Sequence, residues 1–296
     1  MVGAGAVGVV LTRALEVTKA NEITYYVRKG RKALLTRVKV HDLRSGQLHV
    51  RERPIVVEAG AKLPVVDTVF LAVRADQLVE ALDVVAELEG EPRICSTTAG
   101  LDDLAQIRAR FPGRPAVQIL PMFLSYLDDD AFRFAAPPFL PSLISDGGDS
   151  GSRAFAEELA GMLKVGGLGA RAVGELSRSR DAAFAAGLPL LGALELAGFD
   201  FTKLAGDASL RDLASKAAQE GLRSGPLGLA ALGIKPFLSL ALRAAPALPA
   251  DMRAMWLVHG PKIAGQTRLL LDGVIARVEA AGKPSVSLRE LRRRLV

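Results

Sequence analysis

Cysteine is almost absent: Cys95 is the only one. No disulfide can form within the chain, which fits a reducing compartment, so a cytoplasmic location is expected. Aromatic residues are scarce, at 5%, so the core has to be built from Leu, Ala and Val. The shortage also removes the interleaved aromatics that nucleic-acid surfaces use. Long apolar runs are missing too. The longest, Ala182–Leu194, lies between Asp181 and Glu195 and has thirteen residues, whereas a bilayer span needs about 20. It reads as a buried helix, broken or kinked near Pro189, and no membrane partner is expected. The apolar N-terminus lacks the basic segment of a signal peptide. No His/Cys cluster points to a metal, and no nucleophile–base pair can be read.

The chain has 296 residues, half of them hydrophobic and 24% charged. That balance describes an ordinary globular protein of one large or two medium domains. The net charge is +6, but the positives are scattered, so no nucleic-acid partner is expected. The one dense run, Arg289, Arg292, Arg293 and Arg294, closes a helical pattern, where cations complement the helix dipole. A milder consequence of the charge is attraction for anionic small molecules.

The first half alternates continuous apolar runs with helical periodicity. Met1-Val2 looks like the tail of a strand, followed by a helix from about Ala6 to Thr18. Ile23–Val27, Thr68–Val73 and Arg93–Ser96 read as strands; Gln77–Leu88 and Asp102–Phe111 read as helices. Arg37–Leu43 and His49–Val57 suggest an edge hairpin turning at Arg44-Ser45-Gly46. Val117–Leu124 and Phe132–Ile144 read as further strands. Such alternation implies a parallel sheet covered on both faces. Beyond Ser152 the strands fade. Phe155–Leu163, Arg180–Leu196, Leu210–Glu220, Lys262–Ala281 and Leu288–Leu295 read as helices, with Gly282 and Pro284 stopping the fourth. The segment 225–250 has no clear pattern. The expectation is an α/β Rossmann-type domain over residues 1–172 and an all-α domain over 173–296.

Gly3-Ala4-Gly5-Ala6-Val7-Gly8 matches G-x-G-x-x-G, with a strand end before it and an amphipathic helix after it. In that fingerprint the first glycine makes the tight turn, the second lets the backbone approach a pyrophosphate, and the third lets helix and strand pack closely. The helix N-terminus then meets the phosphate charge. The leading strand is reduced to Met1 and Val2, which suggests that the start of the chain is incomplete. NAD enzymes carry an Asp or Glu at the end of the second strand. Here Ile23–Val27 runs into Arg28-Lys29-Gly30-Arg31-Lys32, with no carboxylate. Cations at that place suit the 2′-phosphate of NADP.

The chain resembles the ketopantoate reductase (2-dehydropantoate 2-reductase) family. The resemblance is carried by Gly3–Gly8, Val27-Arg28, the strand end Leu71-Ala72-Val73-Arg74-Ala75-Asp76-Gln77-Leu78, and Gly273–Leu291 with Ala281-Gly282-Lys283-Pro284. It implies a Rossmann domain followed by helices of the 6-phosphogluconate-dehydrogenase kind, with a 2-keto acid reduced by NADPH in the cleft between them. A homodimer is left open. The cofactor residues so implied are Gly3, Gly5, Ala6, Val7, Gly8, Arg28, Lys29, Arg31, Val73, Arg74, Gln77, Thr98, Ala99 and Gly100. Departures fall on the chemistry. Arg74 replaces the family's lysine at the strand end, and Ala99-Gly100 replaces an Asn-Gly pair. Arg180 stands at the general-acid lysine, and Phe184 and Leu188 at two substrate-binding asparagines. The late glutamate falls near Thr267. Arginine, with a pKa above about 12, is a poor proton donor but binds carboxylates well.

A replacement acid is sought at His259, Lys262 and Gln266, whose i, i+3, i+7 spacing around a helix start at Gly260-Pro261 puts them on one face. Lys262 or His259 would then protonate the alkoxide while Arg180 clamps the acid; a plain solvent-facing stripe is the competing reading. Asp128-Asp129-Asp130 reads as a polar turn, Asp102 and Asp103 as helix caps, Cys95 as a buried core residue. Ser96, Thr97 and Thr98 sit where α/β sheets place ligands, and read equally as turn residues. The function expected is an NADPH-dependent oxidoreductase for a small 2-keto acid or related carbonyl. The alternative is a catalytically impaired NADP-binding sensor or interaction protein.

Overall fold

The structure is a computed structural model that describes residues 1–18, 21–100, 102–174, 177–223, 231–247 and 250–295. Within its helices, side chains at 34, 177–183, 231–234, 237, 250–252, 254, 255, 258, 259, 262 and 263 lie outside the description. The chain divides into two compact units, Met1–Leu176 and Ser177–Val296. The division falls a few residues beyond 172, because Ala170–Val173 is a strand whose Val173 pairs with Ser145 of the first unit.

In chain order the first unit contains α1 (Ala6–Glu16), β1 (Thr24–Val27), β2 (Arg37–Asp42), β3 (Leu48–Glu52), β4 (Ile55–Glu58), β5 (Thr68–Leu71), α2 (Leu78–Ala86) and β6 (Arg93–Ser96). It continues with α3 (Asp103–Arg110), β7 (Ala116–Leu120), β8 (Leu124–Asp128), β9 (Ala131–Ala135), β10 (Ser142–Ser145), α4 (Ser150–Val165) and β11 (Ala170–Val173). β5, β6 and β7 are parallel; β10 runs antiparallel to β7, and β11 parallel to β10. β1 pairs in parallel with β4. Val2 joins the two sets through parallel bridges to Tyr26 and Leu71. The apolar face of α1 (Val9, Val10, Leu11, Ala14, Leu15) is buried in one core with Val117, Ile119, Ile144 and Leu159. Leu78, Leu82 and Val85 of α2 and Ile107 of α3 are buried in a second core with Val69, Leu71 and Ile94. β3, β2, β9 and β8 form a separate four-stranded sheet.

Prolines account for the main differences from the sequence pattern. Only part of the expected hairpin exists: β2 and β3 pair antiparallel, but Ile55–Glu58 leaves them to join β1. Arg53 takes a positive φ of 50° and Pro54 has no N–H to donate, so the chain turns there. Pro121 likewise separates β7 from β8, and Pro137, Pro138 and Pro141 lie between β9 and β10.

The second unit is helical: α5 (Ser177–Leu196), α6 (Phe201–Gly206), α7 (Ala208–Arg223), α8 (Ala231–Ala244), α9 (Ala250–Ala280) and α10 (Val286–Arg294). α8 occupies the stretch without a legible pattern. α5 runs unbroken through Pro189. That proline withholds an N–H from the Ala185 carbonyl, and α7 packs so closely there that a Cβ on Gly221 would lie 2.9 Å from this oxygen. α9 does not begin at Gly260-Pro261; it continues through both. Gly260 is buried, and a Cβ on it would run into the Phe199 ring, so this glycine serves packing rather than a helix start. Tertiary packing offsets the roughly 3 kcal/mol that an internal proline costs. α9 stops as expected near Gly282, where the Lys283 N–H returns to the Val278 carbonyl at 3.1 Å. Among the described residues no helix is long and apolar enough to cross a membrane.

Candidate functional site

The site grows from the middle of the parallel sheet. Val2 donates to the Phe70 carbonyl (2.7 Å) and accepts from the Ala72 N–H (2.8 Å), while the Tyr26 N–H reaches the Met1 carbonyl (2.8 Å). The chain then leaves the sheet at Gly3, whose φ is 91°. A Cβ here would meet the Ala72 carbonyl oxygen inside contact distance, so both the turn and the packing require glycine. A Cβ on Gly8 would lie 2.7 Å from the Gly3 carbonyl and 2.9 Å from the Ala72 methyl; α1 therefore sits hard against the β5 end. Gly5 differs: it is exposed and a Cβ on it would meet no atom. It is the N-cap of α1 and brings no side-chain cap, and Ala6 and Val7 follow it as the first helical residues. The three glycines thus have the three distinct environments that a dinucleotide turn needs. The open space lies over Gly5, the middle glycine.

The end of β1 supplies charge. Arg28, Lys29, Arg31 and Lys32 are all exposed around a turn closed by the Arg31 N–H on the Arg28 carbonyl (3.1 Å). One carboxylate does lie here, which the sequence pattern did not reveal. Glu58 ends β4 opposite Val27, and its Oε1 accepts the Lys32 backbone N–H at 2.9 Å. Reading Ile55–Glu58 as a strand beside β1 would have found it.

Beyond β5, Val73 is half-buried and Arg74 is forked onto Asp76, with Nε–Oδ1 at 2.9 Å and Nη2–Oδ2 at 2.6 Å. Gln77 accepts the Arg74 N–H through Oε1 at 3.3 Å, which closes the turn into α2. The expected cation is therefore present but already paired with a neighbour two residues on. After β6 the Ser96 and Thr98 hydroxyls are buried against each other at 2.6 Å, and Thr97 donates to the Leu71 carbonyl at 3.3 Å. These hydroxyls are engaged within the protein. The loop is held by two further buried side chains, Gln118, which has no signature in the sequence, and Asp103, expected as a helix cap. Gln118 Nε2 donates to the carbonyls of Thr98 (2.9 Å) and Gly100 (3.4 Å), and Asp103 accepts the Gly100 N–H (2.7 Å). Ala99 is half-buried between them.

In the helical unit, Arg180 lies on α5 and His259 and Lys262 on α9, but their side chains lie outside the described residues. The helical spacing places 180, 184 and 188 along one face of α5; Phe184 is half-buried and Leu188 buried. Because α9 is continuous, positions 259, 262 and 266 share a face. Thr267 is buried and hydrogen-bonds Glu195 of α5. Desolvation raises the Glu195 carboxyl above its ordinary value, against the pull of Thr267 and Arg268, and its Oε2 is buried without a partner. An acid whose pKa is raised by folding costs stability as pH rises through the ordinary glutamate value toward the folded one. Glu195→Gln is therefore expected to raise the melting temperature at about pH 8 and to leave it unchanged at about pH 4. Thermal unfolding at both pH values checks this; an equal effect at both contradicts it.

The remaining candidates are structural. Asp129 and Asp130 form the tight turn between β8 and β9, with Asp130 paired to Lys39 and Asp128 to Arg133. Asp102 occupies the N-cap position of α3, but its side chain makes no capping hydrogen bond to the helix. Cys95 is fully buried, and burial pushes its thiol pKa well up. Arg289 pairs with Glu279, Arg292 with Asp272, and Arg293 and Arg294 with Glu290. Among the described residues no three His, Cys, Asp or Glu side chains are grouped to hold a metal.

A family model described as ketopantoate reductase PanE/ApbA matches residues 1–133. No curated protein matches the chain. Solved structures with the same fold include 2-dehydropantoate 2-reductase from Geobacter metallireducens GS-15. It is 16% identical, with 99% of this chain and 97% of that one covered at a TM-score of 0.77. A dimeric ketopantoate reductase from Staphylococcus aureus is 13% identical over 99% and 95% of the two chains, with a TM-score of 0.72. A ternary structure of D-mandelate dehydrogenase with NADH and anilino(oxo)acetate is 15% identical over 100% and 97%, with a TM-score of 0.74. The α/β unit followed by a helical unit is the fold of these enzymes.

Proposed function

For a chain whose first 133 residues match the ketopantoate reductase family model, we propose an NADPH-dependent oxidoreductase that reduces a small 2-keto acid or related carbonyl. The observation that carries this reading is the division of labour among Gly3, Gly5 and Gly8, with open space over Gly5 alone. The residues fit a dinucleotide: the helix start has no side-chain cap, its N-cap Gly5 is exposed, and exposed cations follow β1. When bound, NADPH supplies the hydride that goes to the carbonyl carbon. Gly3–Gly8 cradle the pyrophosphate, and Arg28, Lys29 and Arg31 take the 2′-phosphate. Val73, Arg74, Gln77, Thr98, Ala99 and Gly100 border the rest of the cofactor, with Asp76 fixing the Arg74 guanidinium. Arg180 clamps the substrate carboxylate, and Lys262 or His259 delivers the proton to the carbonyl oxygen. Phe184 and Leu188, in place of asparagines, favour a substrate with an apolar side chain over ketopantoate.

D-mandelate dehydrogenase, of the same fold, was solved with NADH; the basic run after β1 is what favours NADPH here. The replacement of the family's Asn and Lys by Ala99 and Arg180 supports a second reading, an NADP-binding protein without turnover. Following NADPH absorbance with a panel of 2-keto acids separates the two. Turnover of an acid with an apolar side chain is expected. Tight NADPH binding with no consumption on any acid would favour the binding protein.

A further inference from the structure

Resting on the reading that the chain binds NADPH, we infer that Gln118 is a positioning residue for the nicotinamide half of the cofactor, acting through the loop Thr98–Gly100. Gln118 lies in β7 opposite Ser96 of β6 and Ser145 of β10, and is 3% exposed. A buried amide in the middle of a sheet is costly unless hydrogen-bonded, and an apolar side chain there would be cheaper. Its Nε2 is spent on two carbonyls of one loop, those of Thr98 and Gly100. The same three residues are gripped from other sides as well. Ser96 Oγ accepts the Thr98 N–H at 3.1 Å, and Asp103 Oδ2 accepts the Gly100 N–H at 2.7 Å. Asp103 is itself 4% exposed and fills the space that a Cβ on Gly100 would take. Four backbone groups of a short loop are thus held by buried side chains, an arrangement that fixes shape.

The place of the loop gives that rigidity a use. The order across the sheet is β1, Val2, β5, β6. A dinucleotide with its pyrophosphate over Gly3–Gly8 and its 2′-phosphate at the end of β1 extends its other half toward the carboxyl ends of β5 and β6. Ala99 brings no amide to that half. The loop contributes its backbone and a methyl group instead, and such a surface discriminates only if it stays where it is.

The test compares NADPH with 2′,5′-ADP, which carries the adenosine half and the 2′-phosphate but no nicotinamide. Gln118→Leu is expected to weaken NADPH about tenfold and to leave 2′,5′-ADP binding unchanged, measured well below each variant's melting temperature. Should Gln118→Leu not fold, Gly100→Ala pushes a methyl group into Asp103 from the loop side and is expected to give the same split. Equal weakening of both ligands would show a merely structural glutamine and overturn the inference, as would unchanged NADPH binding. If the unsubstituted protein binds 2′,5′-ADP as tightly as NADPH, the inference fails while the NADP reading stands. If it binds neither, both fail.

Discussion

Gly3→Ala is expected to cost the protein several kcal/mol and its dinucleotide binding together, whereas Gly5→Ala is expected to cost binding alone. Two terms add at Gly3. Its φ of 91° lies where a residue with a side chain pays roughly 1–2 kcal/mol. The new methyl group also collides with the Ala72 carbonyl, a backbone atom in the sheet, and overpacking of this kind costs about 1–3 kcal/mol. For a unit of this size each kcal/mol lowers the melting temperature by about 2–4 °C. Gly5 has an ordinary extended conformation and no neighbour within reach of a Cβ. An alanine there fits the protein and intrudes only on the space above the helix start. Thermal unfolding and NADPH titration of the two variants separate the cases. A Gly5→Ala protein that binds NADPH like the unsubstituted one would contradict the placement of the pyrophosphate.

The second large effect is expected at the end of β1. Arg28 and Arg31 are exposed cations beside the strand end, and removing a charge-assisted hydrogen bond costs about 1.5–3 kcal/mol. At 1.4 kcal/mol per factor of ten, the double substitution Arg28→Ala, Arg31→Ala should weaken NADPH about 10- to 100-fold or more. NADH, without the 2′-phosphate, should bind the variant as it binds the parent. The salt dependence of NADPH binding should fall as well, because screening acts on the charges removed. Equal losses for both cofactors would mean that these arginines support the loop rather than read the phosphate.

How much of this was legible in the sequence depends on how local the cause is. The Gly3–Gly8 turn was readable because each glycine answers a steric demand set by its immediate neighbours. The basic run was readable because it follows a short strand directly. The two-strand reading of 117–144 failed at Pro121 and at Pro137–Pro141, where a missing N–H breaks a pattern that hydrophobicity alone continues. The helical reading failed in the opposite direction. Gly260-Pro261 reads as a helix start and Pro236 falls in a stretch without a pattern, yet Pro236 and Pro261 lie inside α8 and α9, because packing such as that of Phe199 on Gly260 outweighs a lost hydrogen bond. Gln118 was invisible for a similar reason. A single glutamine in an apolar strand has no signature, and its partners lie twenty and eighteen residues away in a loop. The Glu195–Thr267 pair needs α5 and α9 side by side before it exists at all. The glycine turn and the basic run are written in short-range sequence; the side chains that support the neighbouring loop are written in tertiary contacts.

The central claim is that this N-terminal turn and the cations after β1 hold NADPH. The direct measurement is titration of the unsubstituted protein with NADPH and NADH under one set of conditions, followed by protein fluorescence. Tighter binding of NADPH by at least about tenfold, the worth of one charge-assisted contact to the 2′-phosphate, is the predicted result. Equal affinity for the two cofactors, or binding of neither, would contradict it.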